Sequence, residues 1–221
     1  IRMYKPTEKR FEDQIEFFLK SIGYKKNTNL LYDKSLCLVP FEFIEFIKKT
    51  QNEKYQSLKD QLFDEVDNQI LKRLDDEITF FGLVHVLKKG FKVRDKTFQP
   101  MINIPRSLNN PDHIEDYKKN IFSLIRQLKF NEETEQSIDT VIFLNGIPLC
   151  SIELKNQLTN QSVEDAITQY KNDRDPTNKL LKFNRCLVHF GVDNDQVVMT
   201  TNLNKEKTKF FPFNKDIINP L

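Results

Sequence analysis

Asp139, Glu153 and Lys155 are the residues of this chain whose types and spacing suggest chemistry. They lie in the string IDTVIFLNGIPLCSIELKN, with Asp139 fourteen positions before Glu153 and Lys155 two after it. Carboxylates are hard oxygen ligands suited to Mg²⁺, and a metal-activated water beside an ammonium group is what phosphodiester hydrolysis uses. The lysine would orient the nucleophile or neutralise charge developing on phosphorus. A Glu and a Lys on one exposed strand face also read as a solvated pair, worth under about 1 kcal/mol. Glu153-Leu154-Lys155 is the only E-x-K in the chain, and its position in a strand favours the chemical reading.

The three residues act together only if a hairpin brings them to one face. Ile138 to Leu144 and Ile147 to Lys155 read as strands, with Asn145-Gly146 as the turn signal between them. Residues two apart in a strand share a face, so Glu153 and Lys155 project together. A two-residue loop pairs Leu144 with Ile147 and sets Asp139 opposite Ile152, on the wrong face. A three-residue loop, with Gly146 as a G1 bulge, pairs Phe143 with Ile147 and sets Asp139 opposite Ser151, diagonal to Glu153. The second register is expected, because it gathers Ile138, Ile142, Leu144, Pro148, Cys150, Ile152 and Leu154 on one uncharged face.

Around the hairpin, Thr7 offers an N-cap to a helix over Glu8 to Ile22, whose apolar stripe is Phe11, Ile15, Phe18, Leu19 and Ile22. Phe41 to Thr50 and Tyr55 to Lys89 look mainly helical, and Thr97 to Ile104 looks extended. Asn109-Asn110-Pro111 marks a break. Ile121 to Phe130 reads as a buried strand, Glu164 to Asp173 as a short helix, and Arg185 to Val192 and Gln196 to Thr201 as strands. The order predicts an α/β sandwich around a mixed sheet. We divide it into a first core helix in 1–24, a mainly helical insertion over 25–117, a catalytic sheet and helix over 118–203, and a tail over 204–221. The Phe210 to Phe213 cluster would pack back on the core or lead onward.

Composition narrows the function. With 34 Lys and Arg against 32 Asp and Glu, the net charge is only +2, so any contact with nucleic acid must come from a local basic patch. The candidates are Lys171, Arg174, Lys179, Lys182 and Arg185, and the segment Lys88 to Lys96. Five glycines cannot assemble a Walker A loop or a dinucleotide fingerprint, which removes ATP and NAD binding by these residues. Three dispersed cysteines point to a reducing compartment, and the lack of a long apolar run or signal peptide to a cytoplasmic protein with no membrane contact. His85, His113 and His189 read as structural.

The strings NGIPL and IELKN resemble the PD-(D/E)xK nuclease superfamily, and more closely the N-terminal nuclease domain of type I restriction enzyme R subunits. The resemblance extends to Phe11-Glu12, Gly23-Tyr24, Glu164-Asp165-Ala166 with Gln169-Tyr170, and the closing Phe211-Pro212-Phe213-Asn214. It implies a PD-(D/E)xK core in which Asp139 and Glu153 ligate Mg²⁺, Lys155 is catalytic, and Glu12 completes the metal environment. Gln169 would lie beside the active site and DNA, with Tyr170, Lys171 and Arg174 as further DNA contacts. Ile138 replaces the proline that names the motif. Tyr170 directly follows Gln169, whereas related nucleases place the tyrosine four residues on, where Asp173 stands here. The resemblance further implies cleavage of double-stranded DNA after ATP-driven translocation by motor domains outside this chain, in a complex with methyltransferase and specificity subunits. The alternatives are a stand-alone nuclease of the superfamily, and a catalytically silent DNA-binding or subunit-docking module.

Overall fold

A computed structural model describes residues 8–106 and 110–214. Thr7, the expected cap, and the end of the tail lie outside them. Helix α1 (Glu8–Ser21) leads into a short strand, β1 (Lys25–Asn27). Pro40 opens α2 (Pro40–Thr50), at a position where its missing N–H costs nothing. Helices α3 (Asn52–Leu62), α4 (Val66–Phe81) and α5 (Leu83–Lys89) follow, then a small hairpin of β2 (Phe91–Val93) and β3 (Lys96–Phe98), and α6 (Pro111–Tyr117). These helices enclose a core that includes Phe43, Phe46, Leu58, Ile70, Leu74 and Phe98. Of the stretch expected to be extended, only Thr97 and Phe98 are strand.

The remaining chain supplies β4 (Phe122–Lys129), β5 (Ser137–Leu144), β6 (Ile147–Leu154), α7 (Val163–Asn172), β7 (Val188–Val192), β8 (Val197–Thr200) and β9 (Phe211–Pro212). One seven-stranded sheet runs in the order β1-β4-β5-β6-β7-β8-β9. The β1/β4 and β6/β7 pairs are parallel and the others antiparallel, so the protein is a mixed α/β structure. The sheet reaches into the segment read as an insertion, because Lys25 to Asn27 pair with Ser123 to Ile125. Ile125, Val141, Phe143, Tyr170, Leu180 and Leu181 belong to a second core against the sheet. Phe210 packs on that core, while Phe211 and Phe213 are exposed and Pro212 sits on an edge strand, where it interrupts no ladder.

The hairpin brings Asp139 and Glu153 to one face, as expected, but not in the expected register: Asp139 does not face Ser151, and Pro148 pairs with Phe143 instead of joining the uncharged face. Leu144 pairs with Ile147 across a two-residue turn, with Asn145 and Gly146 both left-handed at φ 50° and 76°. Phe143 then pairs with Pro148 but Ile142 with Cys150, so Leu149 is an extra residue that shifts the register by one. Continuing that register sets Asp139 opposite Glu153. The tip itself is locked. Asn145 is buried, accepts from the Ile121 N–H at 2.6 Å and donates to the Pro100 carbonyl at 2.9 Å. A Cβ on Gly146 would fall 2.3 Å from the Val39 carbonyl oxygen. That lock leaves no room for a third loop residue.

Two further expectations are corrected. The hairpin face carrying the charged residues is not open: Val141, Phe143, Ser151 and Glu153 on it are buried, with Val141 and Phe143 in the core that holds Tyr170. Helix α1 is turned from its apolar stripe. Glu12 is buried and Ile15, Glu16 and Leu19 are half-buried, whereas Phe18 and Ile22 are exposed. The cause is Arg126 of β4, whose guanidinium donates hydrogen bonds to Glu12, Asp13 and Glu16 together.

Candidate active site

Asp139 lies near the start of β5 and Glu153 near the end of β6, on adjacent strands. Asp139 Oδ2 accepts the Leu154 N–H at 2.7 Å, which ties its carboxylate to the strand that carries Glu153. Glu153 is completely buried. Its Oε1 accepts from Arg174 Nε at 2.8 Å and lies 2.6 Å from Nη2 in an ion pair, while Oε2 is buried with no donor among the described residues. The β5/β6 register carries the two carboxylates on neighbouring strands, and burial together with the Asp139 charge raises the Glu153 carboxyl pKa. An orphaned buried oxygen beside a second carboxylate is a site for a shared proton or a cation, because either relieves both the like-charge repulsion and the missing bond. The donor set therefore fits a hard divalent ion.

Lys155 continues β6, with its N–H bonded to the Val192 carbonyl of the parallel neighbour β7 at 2.8 Å. It is 9 % exposed. Asp139, Glu153 and Lys155 are thus brought to one end of the hairpin, as the parity of the strands requires.

Glu12 reaches this region without joining the carboxylate pair. Its Oε2 accepts from Arg126, and its Oε1 from Gln127 Nε2 at 2.9 Å. The same Gln127 nitrogen donates to Asp139 Oδ1 at 3.1 Å, so an amide stands between the two acids. Among the described residues no three His, Cys, Asp or Glu side chains converge to hold one ion. The expected role of Glu12 as a third ligand becomes a second tier, linked to Asp139 through Gln127. Gln127 has φ 48° inside β4, although Arg126 and Leu128 keep their pairs with β5. A non-glycine residue held there stores about 1–3 kcal/mol of strain, a cost that clusters at functional sites. Nothing in the sequence singles out Gln127.

Helix α7 is placed by its own start. Ser162 caps it, with Asp165 completing a capping box, and Asp193 Oδ2 accepts from the Val163 N–H at 2.9 Å. Gly191 of β7 lets the helix approach closely, since a Cβ there would meet Ala166 Cβ at 3.1 Å.

The residues read as DNA contacts then divide. Gln169 is half-buried with its Oε1 lacking a donor, and Lys171 is half-buried. Tyr170 is fully buried, its hydroxyl 2.8 Å from Ser151 Oγ, which also lies 2.7 Å from His189 Nδ1. It is a core residue and has no surface to offer DNA. Arg174 is also corrected: at 5 % exposure it is the partner of Glu153. Two more of the expected cations are engaged within the protein, because half-buried Lys179 and buried Arg185 both pair with Asp75. Lys182, by contrast, is exposed, as are Lys88, Lys89, Lys92 and Arg94.

Burial and the neighbouring Asp139 charge push the Glu153 carboxyl up to about 8, against the opposing pull of Arg174. Burial pushes His189 down to about 4. Glu153, raised on folding, contributes stability below its ordinary 4.5 and loses it as pH climbs to 8. His189, depressed on folding, contributes above its ordinary 6.5 and loses it as pH falls towards 4. The two slopes oppose each other between 4.5 and 6.5, and from 6.5 to 8 Glu153 acts alone. In chelator, the protein is therefore expected to lose stability from pH 6.5 to 8 with a slope approaching about 1.4 kcal/mol per pH unit, and Glu153→Gln to flatten that limb. Urea unfolding at several pH values measures it. A limb that persists unchanged in Glu153→Gln belongs to some other group.

The profile of the family described as type I restriction enzyme R protein N terminus matches residues 5–208. The chain is also similar to a Methanocaldococcus jannaschii protein that carries the name of a type I restriction enzyme MjaVIIIP endonuclease subunit. The two are 24 % identical over 207 residues, which cover 90 % of this chain and 19 % of that protein. The chain spans about a fifth of the length of this curated relative.

Proposed function

Since this chain belongs to the family of type I restriction enzyme R protein N termini, we propose that it is the DNA-cutting module of such an enzyme. On this reading it is a Mg²⁺-dependent endonuclease with a PD-(D/E)xK core, hydrolysing phosphodiester bonds of double-stranded DNA. The observation that supports it most is the Asp139–Glu153 pair on adjacent strands, with one buried oxygen lacking a donor and Lys155 two residues on.

Asp139 and Glu153 would hold the ion. When bound, Mg²⁺ supplies an acidified water and offsets charge on the phosphate. Arg174 fixes the Glu153 carboxylate through Oε1, and the Leu154 N–H and Gln127 fix that of Asp139. Lys155 contributes a positive charge from a backbone position pinned by Val192. It serves to orient the attacking water or to balance the phosphate in the transition state. Gln169 and Lys171 on α7 are the remaining DNA contacts of the site.

Motor domains driven by ATP, and methyltransferase and specificity subunits, would act from outside these residues. A nuclease module supplied with DNA in that way does not need a strongly basic surface of its own, which accords with a net charge of +2. The test is cleavage of plasmid DNA by the full assembly with ATP, in Mg²⁺ and in Ca²⁺. Cutting in Mg²⁺, and its loss in Ca²⁺ while ATP hydrolysis continues in supplementary Mg²⁺ too dilute to fill the nuclease site, is the expected result. Cutting that survives saturation of the nuclease site by Ca²⁺ would refute metal-dependent hydrolysis here.

A further inference from the structure

Arg174 begins beyond the end of α7, at the residue after its C-cap Asp173, yet its guanidinium is almost wholly inside the protein. There it makes a fork of contacts that join both halves of the hairpin. Nε donates to Glu153 Oε1 at 2.8 Å, and Nη2 lies 2.6 Å from the same oxygen as an ion-pair contact. Nη2 donates in addition to the Ser137 carbonyl at 2.7 Å, two residues before Asp139. The guanidinium carbon sits over the Phe130 ring, 5.7 Å from its centroid, which fixes the plane from one side.

Both guanidinium contacts fall on one carboxylate oxygen, unlike the usual fork-to-fork pairing, in which each oxygen takes one N–H. Here the pairing is lopsided, and the other oxygen, Oε2, is left buried and without a donor. The same guanidinium also spans from β6 to the first residue of β5. It thereby sets where the Glu153 carboxylate stands relative to the strand that carries Asp139.

We propose that Arg174 is a positioning residue for the metal site, holding Glu153 by Oε1 so that Oε2 is presented to the ion beside Asp139. This rests on the metal-dependent reading of the site. A positioning role and a simple counter-charge role predict opposite results. By Coulomb's law alone, removing a cation in contact with a ligand carboxylate strengthens the binding of a second cation. Removing a group that orients a ligand weakens it, typically ten- to a hundredfold.

The experiment measures Mn²⁺ binding by electron paramagnetic resonance, below the melting transition, for the chain and for Arg174→Lys, Arg174→Ala and Asp139→Asn. The expected result is loss of the site in Asp139→Asn and a ten- to hundredfold weaker affinity in Arg174→Ala. Arg174→Lys should be weakened too, because an ammonium keeps the charge but not the planar fork. Millimolar guanidinium ion should restore part of the affinity to Arg174→Ala, a rescue that general damage to the fold would not show. Affinity in Arg174→Ala equal to or tighter than wild type overturns the positioning role while leaving the metal site standing. Wild-type binding that is absent, or unaffected by Asp139→Asn, overturns the metal reading and this role with it.

Discussion

Lys155→Ala is expected to slow DNA cleavage by about a hundredfold or more while leaving divalent-ion affinity within about twofold of wild type. Lys155 sits two residues beyond Glu153, just past the end of β6. Its N–H is held at 2.8 Å by the Val192 carbonyl, so the side chain starts from a fixed point. A preorganised charge aimed at the transition state is worth a few kcal/mol in a site from which water is largely excluded, and every 1.4 kcal/mol is tenfold in rate. On the proposed reading Asp139 and Glu153 hold the ion, so binding and rate should separate. Single-turnover cleavage by the full assembly, beside a metal titration, checks both. A rate within threefold of wild type would remove Lys155 from the chemistry.

Glu153→Gln should have an effect at least as large on cleavage and the reverse effect on stability. The amide keeps the shape, and its oxygen still accepts from Arg174. Its nitrogen supplies a donor beside Asp139, where Glu153 has an oxygen with none. At pH 8 the variant escapes the cost of charging a buried carboxyl beside Asp139, so it should unfold at equal or higher urea concentration than wild type in chelator. Cleavage should nevertheless fall by about a hundredfold or more, because a neutral amide is a poor ligand for a hard divalent ion. A stable but inactive protein is the signature expected of a ligand residue. Concurrent loss of fold and activity would instead make Glu153 a structural residue.

The strands and helix over 122–200 were legible because turn signals and apolar alternation mark their limits, and the placing of Asp139 and Glu153 on one face of the hairpin was legible from parity. Sequence parity records only whether a shift of one residue occurs between the tip and the site. It does not record where. The shift was expected at Gly146 and occurs at Leu149, because Asn145 is bonded to Ile121 and Pro100 and the tip cannot widen. The turn of α1 was illegible for a related reason: Arg126 lies more than a hundred residues away, and it outweighs the burial of Phe18 and Ile22. Arg174 was read as a surface cation because a basic residue after a helix usually is one. Its partner, Glu153, is an acid 21 positions away in sequence, and only the fold brings the two into contact. Tyr170 was read by its neighbour Gln169, but adjacent helical residues point about 100° apart, so one can be half-buried at the site while the other enters the core.

The proposed chemistry requires Asp139 and Glu153 to hold one divalent ion beside Lys155. The most direct measurement is anomalous scattering from crystals of the protein soaked in Mn²⁺. A peak in contact with a carboxylate oxygen of Asp139 and with Glu153 Oε2 is predicted. No peak between these two carboxylates at saturating Mn²⁺, with the ion absent or bound elsewhere, would contradict it.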